Sequence, residues 1–288
     1  MARPVILLLG AAGQLGHELH RSLAPLGDVI ARSHTELDLA DSDAVVAAVR
    51  EIRPAIILNA AAYTAVDAAE TEPERAHAIN ARAPGLLAEE ARHIDAILLH
   101  YSTDYVFDGQ SRSPYREDAP AAPLNVYGSS KLAGEEAIKA TGAHALVFRT
   151  SWVYAARGTN FLLTIRRLAA ECPELRIVAD QIGTPNWART LAEATARVVD
   201  SGAPAMRERS GVYHLSSEGS ASWFDFARAI VGDAIKPRVV PITSAEFPRP
   251  AQRPAYAVLD TSKFRAAFGF ALPSWRAELE RCTRSPVA

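Results

Sequence analysis

Tyr127 and Lys131 are four positions apart in the string Tyr127-Gly128-Ser129-Ser130-Lys131. On a helix that spacing puts both side chains on one face, one turn apart. A phenol beside an ammonium suits carbonyl reduction, because hydride addition to a ketone builds negative charge on an oxygen that then needs a proton. An unperturbed tyrosine, with a pKa of ~10, transfers a proton poorly at neutral pH, and a nearby cation lowers that value. The same string also describes an aromatic helix residue beside a solvated lysine. A second hydroxyl strengthens the chemical reading. Ser102-Thr103-Asp104-Tyr105-Val106-Phe107 follows an apolar run, and ligand groups in open α/β sheets gather at the carboxyl ends of strands. Thr103 stands there either to orient a carbonyl oxygen against Tyr127 or to cap a turn.

A glycine loop precedes these residues. Gly10-Ala11-Ala12-Gly13-Gln14-Leu15-Gly16 lies between the first apolar run and the first helical stretch. A strand-to-helix turn of this kind turns backbone N–H groups toward a pyrophosphate, and Gly10, Gly13 and Gly16 keep Cβ atoms out of its way. The spacing is GxxGxxG rather than GxGxxG, so the position between strand and helix carries more weight than the glycines themselves. The second apolar run ends at Arg32-Ser33-His34. An arginine there accommodates a ribose 2′-phosphate where NAD-selective sites carry an acid. NADPH is therefore slightly favoured over NADH, although Arg32 also reads as a solvated surface residue.

The elements that must position these groups follow from periodicity. Short unbroken apolar runs predict strands at 4–9, 29–32, 55–58, 96–101 and 144–149, alternating with helices at 14–23, 41–52, 73–93 and within 123–140. Strands that are apolar on both faces and separated by helices indicate a doubly wound parallel α/β sheet. Beyond residue 150 the rhythm changes, with helices predicted at 160–171, 187–200, 222–231 and around Leu279, and strands at 176–179 and 212–215. Pro237, Pro241, Pro248, Pro250 and Pro254 predict an extended, irregular segment. The expected division is a dinucleotide-binding unit at 1–151 and a smaller, mainly substrate-binding α/β lobe at 152–288. Elements near 176–205 are expected to return to the first sheet.

Composition narrows the class. With 31 Lys and Arg against 33 Asp and Glu, the net charge is −2, which points to neither a nucleic acid nor an anionic membrane as partner. Cys172 and Cys282 form no CxxC or Cys/His cluster, so neither a disulfide framework nor structural zinc is expected. Val5–Leu9 is far shorter than the ~20 residues that span a bilayer. Together with Arg3 it has some look of a signal peptide, but cleavage there would remove the glycine loop. A cytoplasmic protein is expected.

Taken together, the glycine loop, Asn59-Ala60-Ala61-Ala62 after the third run, Ser102–Phe107 after the fourth, and Tyr127/Lys131 resemble the extended short-chain dehydrogenases/reductases. More narrowly, the chain resembles the dTDP-4-dehydrorhamnose reductase family. The strings that carry this are Asn59–Asp67, Ser102–Gly109, Pro123–Gly128, Phe148–Tyr154 and Arg253-Pro254. The resemblance implies a Rossmann-type fold and NAD(P)H-dependent reduction of the C4 ketone of dTDP-4-dehydro-L-rhamnose. It also implies a supply of rhamnose to bacterial surface polysaccharide. Gly13, Gln14 and Leu15 would meet the pyrophosphate, Asp38 and Leu39 the adenine, and Ala60, Ala61 and Ala62 the ribose, with Tyr101 beside the cofactor. Tyr127 would be the proton donor, and Lys131 would hold the nicotinamide ribose.

Thr103 and Asp104 would bind the sugar, Asp104 as a polar contact or a proton relay, and Trp152 would line its site. Trp152 also reads as a core residue. Arg253 would pair with the substrate diphosphate or serve as a structural arginine between prolines. Some members of the family hold magnesium through glutamates at a dimer interface. Glu18 matches one such position, but Arg189 stands where a second carboxylate is expected. No metal site is therefore predicted, and a monomer or weak homodimer is expected. Two alternatives remain open: another nucleotide-sugar epimerase or dehydratase of the same superfamily, and a non-catalytic, NADP-binding regulatory subunit of methionine adenosyltransferase.

Overall fold

The computed structural model describes residues 3–232 and 237–284. Five apolar runs of the first half become β1 (Val5–Leu9), β2 (Asp28–Arg32), β3 (Ile56–Asn59), β4 (Ile97–Thr103) and β5 (Ala145–Thr150). With the strand Gly211–His214 they form one parallel sheet, ordered Gly211–His214, β5, β4, β3, β1, β2. The strand order reverses between β1 and β3, where the cofactor crevice of a doubly wound sheet lies.

Side-chain alternation assigns each strand residue to a face. On one face Ile6, Leu8, Leu58, Leu99, Tyr101 and Phe148 pack with α1 (Gln14–Leu23) and the helix Ala188–Asp200. On the other, Leu7, Leu9, Ile57, Leu98 and Val147 pack with α2 (Ser42–Ile52) and the helices Ala83–His93 and Val126–Thr141. Asp41 caps α2 by accepting the Ala44 N–H at 3.0 Å. A separate hydrophobic cluster beyond residue 150 gathers around Tyr154, Leu162, Trp187, Phe226 and Trp275. No helix among the described residues is long and apolar enough to cross a membrane.

Three expectations change. The long helix expected at 73–93 is interrupted: Pro73–His77 and Ala83–His93 are α-helical, but Ala78–Arg82 is a π turn. Such turns insert one residue and re-aim the side chains beside them. Here Asn80 is turned inward, exchanging hydrogen bonds with the Tyr63 backbone (2.8 and 3.0 Å) and donating to Ser130 Oγ (3.0 Å). The start of the proline-rich segment is regular, since Arg238–Ile242 pairs in parallel with Glu174–Val178. Pro241 fits because a two-stranded sheet leaves one edge of each strand free of ladder bonds. Finally, the strand that returns to the main sheet is Gly211–His214. From 176–205 it is helices that lie against that sheet, Ala188–Asp200 and the start of Ala203–Glu208.

The helix Val126–Thr141 carries both Tyr127 and Lys131, so its seating matters most. Asn125 caps it, accepting the Gly128 N–H at 2.8 Å while donating to the Gln252 carbonyl at 2.7 Å. Two glycines let it lie at backbone contact with its neighbours. A Cβ at Gly128 would sit 2.2 Å from the Tyr105 carbonyl oxygen, and one at Gly134 would sit 2.1 Å from the Asn80 carbonyl oxygen. Neither obstacle is a flexible side-chain end, so the helix itself would have to shift. Gly134→Ala is expected to cost about 1–3 kcal/mol despite the better helix propensity of alanine. The check is the midpoint of urea unfolding, which falls if the close approach is as drawn.

Candidate active site

The glycine loop joins β1 to α1 and is anchored from below: the Gly10 and Ala11 N–H groups both donate to the Arg32 carbonyl, at 2.9 and 3.1 Å. Gly10 has φ +80°, and a Cβ there would lie 2.6 Å from the Ala61 nitrogen. A Cβ at Gly16 would lie 2.0 Å from the Gly10 carbonyl. These two glycines thus pack the loop onto itself and onto Ala60-Ala61-Ala62 at the end of β3. The start of α1 has no side-chain cap and no acidic residue in its first turn. Its N–H groups and positive dipole end suit a pyrophosphate, so the residues present fit a dinucleotide cofactor.

Other expected cofactor residues stand in mixed positions. Arg32 ends β2 beside this loop, and Asp38 is exposed, its carboxylate accepting the Ala40 N–H at 2.9 Å. The Leu39 side chain belongs to the core with Leu7 and Val45, which leaves only its backbone to meet an adenine. Tyr101 faces away from the helix that carries Tyr127. Its hydroxyl pairs with Thr195 at 2.5 Å, and what it offers the site is its carbonyl. Strand alternation is the reason: Tyr101 shares the face of Leu99, while His100 and Ser102 share the opposite one.

Lys131 is buried and donates to the Tyr101 carbonyl at 2.6 Å. Burial pushes its ammonium down to about 8, against the pull of Glu135 one turn further on. Glu135 is itself held in a buried pair with Arg149 (2.7 Å) and accepts from Ser102. Tyr127 sits one turn before Lys131, with Tyr105 edge-on at 5.8 Å. The packed surroundings of its hydroxyl push it up to about 12; the Thr103 hydroxyl opposes this, and the Asp104 charge adds to it. Tyr127, Lys131 and Thr103 are therefore brought together at the carboxyl end of β4.

Thr103 Oγ1 caps the short turn Asp104–Val106, accepting the Tyr105 N–H at 3.1 Å and donating to Asp104 Oδ1 at 3.1 Å. Asp104 is 2% exposed, and its Oδ2 has no hydrogen-bond partner. Burial lifts its carboxyl to about 7, with the Thr103 hydroxyl pulling the other way.

Trp152 and Arg253 are engaged with other residues. Trp152 has a left-handed backbone (φ +43°), and its ring stacks on Trp223 at 3.6 Å. One aromatic face is thereby covered. The Arg253 guanidinium donates to Asp67 Oδ1 at 2.7 Å and to the Ala251 carbonyl at 2.6 Å, tying the proline-rich segment to the chain after β3. Glu18 is paired with Arg189 at 3.0 Å and with Arg21 at 3.2 Å. Among the described residues no group of three or more His, Cys, Asp or Glu side chains could hold a metal ion.

Sequence reasoning gave no role to Asn59, His100, Tyr105, Trp223 or Asp67. For the first two a signal existed: Asn59 ends an apolar run and His100 follows one, in neighbouring strands at the middle of the sheet.

A parallel doubly wound sheet, a glycine turn onto an uncapped helix and a Tyr–Lys pair with its lysine buried define a nicotinamide-dependent oxidoreductase of the short-chain dehydrogenase/reductase class. Residues 4–286 match the family described as RmlD substrate binding domain, and the chain belongs to that family. A dTDP-4-dehydrorhamnose reductase of Burkholderia thailandensis is 47% identical, over 97% of this chain and 98% of its own. One of Escherichia coli K12 is 44% identical over 96% of both chains. The solved dTDP-4-dehydrorhamnose reductase of Bacillus anthracis, in complex with NADP, superposes with a TM-score of 0.92. It is 38% identical and is matched over 98% of this chain and 99% of that one.

The site has a measurable signature in stability. An Asp104 carboxyl near 7 in the folded protein, against an ordinary value near 4, means that the folded state holds a proton that the unfolded state has lost between those limits. Stability contributed by this group is therefore present below about pH 4, declines as pH rises and is fully lost above about 7. Asp104→Asn removes that dependence. Thermal melts of the two proteins are expected to diverge in the variant's favour from about pH 4 to 7 and then run parallel. A constant difference across that range would show the carboxylate to be solvated.

Proposed function

We propose that this protein reduces the C4 ketone of dTDP-4-dehydro-L-rhamnose to dTDP-L-rhamnose at the expense of NADPH or NADH. The observation that carries this reading is the convergence of Tyr127, Thr103 and buried Lys131 at the end of β4, in a chain nearly half identical to named reductases over its whole length. The cofactor, when bound on the glycine turn and Ala60–Ala62, supplies the hydride.

The remaining steps belong to the chain. The Thr103 hydroxyl stands beside the Tyr127 phenol, and by turning its one proton from Asp104 Oδ1 to the carbonyl oxygen it orients that oxygen toward Tyr127. Tyr127 keeps its proton firmly in the resting site, so it acts as an acid only toward a stronger base, which an alkoxide is. As the oxygen gains charge, the phenol O–H bond breaks and the proton passes to it. Lys131, fixed on the Tyr101 carbonyl, stabilises the phenolate left behind. Asp104, with a bare carboxylate oxygen in a dry position, is suited to a sugar hydroxyl that would satisfy it. The nucleotide is held remotely, so its binding energy serves to orient the reacting carbon.

Residues 152–288 form the mainly substrate-binding part in this reading. Arg253 uses Nη1 for Asp67 and the Ala251 carbonyl, and the other N–H groups of its guanidinium are the ones that would reach a diphosphate. Trp152 contributes with Trp223 as one double aromatic wall. The dTDP group, the absence of a metal requirement and a monomeric or weakly dimeric state belong to the same proposal. Its support for the metal is the occupation of Glu18 by two arginines.

The test is NADPH oxidation by purified protein with enzymatically generated dTDP-4-dehydro-L-rhamnose, beside Tyr127→Phe. Turnover to dTDP-L-rhamnose is expected, slowed by roughly 10²–10⁴ in the variant. Wild-type protein that binds NADPH yet leaves the sugar untouched would overturn the reading.

A further inference from the structure

His100 has no part in the chemistry above, yet it is completely buried beside the ammonium on which that chemistry depends. It lies on the helix-facing side of β4, in register with Asn59 of β3. Asn59 Nδ2 is 3.2 Å from His100 Nδ1, and Lys131 Nζ is 3.2 Å from His100 Nε2. The far end of Asn59 fixes which way its amide points, because Oδ1 accepts the Ala61 N–H at 3.1 Å. Nδ2 therefore donates toward the ring, and His100 Nδ1 must accept. Burial, reinforced by the charge of Lys131, holds the imidazole well below its ordinary value and hence neutral.

Its single proton is then on Nε2 and points at Lys131. An ammonium has three donors and no acceptor. Two donors thus face each other across 3.2 Å. The conflict disappears when Lys131 is an amine, whose lone pair accepts from Nε2 while an amine hydrogen goes to the Tyr101 carbonyl.

We propose that His100 is a positioning residue of the reductase: with its proton fixed on Nε2 by Asn59, it orients the Lys131 nitrogen and opposes its protonation. The inference rests on the roles given above to Tyr127 and Lys131. The other charged and titratable groups around the pair are accounted for. Glu135, on the helix of Lys131, favours the ammonium but is shared with Arg149 of β5 and Ser102 of β4. Tyr127 and Asp104 lie at the carboxyl end of β4, and the Tyr101 carbonyl, accepting from Lys131 at 2.6 Å, favours the charged donor. Desolvation by the packed helix and the facing imidazole N–H thus act together against the charge, and Glu135 and the Tyr101 carbonyl act for it.

Two substitutions approach the same contact from opposite sides. Asn59→Asp keeps an oxygen for the Ala61 N–H but places a second oxygen against Nδ1. It moves the ring proton to Nδ1 and frees the Nε2 lone pair for an ammonium. His100→Gln offers Lys131 an amide oxygen directly. The readouts are the ring ¹⁵N shifts of His100 and the pH profile of kcat/KM for NADPH-dependent sugar reduction, in proteins shown by melts and NADPH binding to be folded.

The expected results are an Nε2–H tautomer in wild type and an Nδ1–H tautomer in Asn59→Asp. In both variants the alkaline limb should move up by about one pH unit or more. A merely structural role would lower activity without moving the limb. An Nδ1–H ring in wild type, or an unmoved limb in both folded variants, overturns the inference. Wild type that reduces no sugar overturns the reductase reading instead, and the tautomer still decides the arrangement of Asn59, His100 and Lys131.

Discussion

The active site depends on how closely one helix can approach its neighbours. Val126–Thr141 touches carbonyl oxygens of other segments at Gly128 and at Gly134, and those contacts bracket Lys131. A helix held off by even one methyl group would leave room for water around the lysine nitrogen. With water present, the ammonium would be solvated, the Tyr101 carbonyl would be one acceptor among many, and the phenol of Tyr127 would lose its fixed relation to Thr103. A propensity table counts both glycines against the helix. Their contribution is the exclusion of solvent from a charge, which raises the strength of every electrostatic contact the charge makes.

That dryness has to be matched by partners, because a buried polar group without one is costly. The helix-facing side of the sheet carries two such sets. Ser102, Glu135 and Arg149 form a closed ion pair with its hydroxyl, while Asn59, His100 and Lys131 form a row that leads from β3 to the reacting end of β4. The first set is internally neutral and fastens the helix to β4 and β5. The second is short of acceptors. A fold could bury either with apolar residues in their place, so the second set makes sense chiefly as part of the chemistry.

Much of this was legible beforehand. Unbroken apolar runs such as Ile6–Leu9 have one plausible place in an α/β protein, the middle of a parallel sheet. The four-residue spacing of Tyr127 and Lys131 survives any small error in helix boundaries. The glycine turn was readable because a strand precedes it and a helix follows. What stayed hidden were partnerships between distant segments. Local periodicity could not show that Trp152 would stack on Trp223, that Arg253 would be engaged by Asp67, or that Tyr101 would turn its ring toward Thr195. The π turn at Ala78–Arg82 had a cue in Pro84, which lacks an N–H and crowds the Asn80 carbonyl four residues earlier; what stayed hidden was that the turn aims Asn80 inward. Pro241 misled for a related reason: proline forbids a central strand but is tolerated at an edge, and edge or centre is a property of the assembled sheet.

The strand Gly211–His214 lies about sixty residues beyond β5 in the chain, yet it completes the first lobe's sheet by pairing with β5. The two lobes are consequently interleaved, and a cut in the polypeptide near residue 151 would not separate two self-sufficient halves. The amino-terminal piece would present β5 as a bare edge lined with Leu146, Val147 and Phe148, the kind of edge that invites intermolecular pairing. On the ribosome, the cofactor-binding half must therefore wait for the emergence of some sixty later residues before its sheet is complete, which makes a segment from the middle of the second half a condition for the folding of the first.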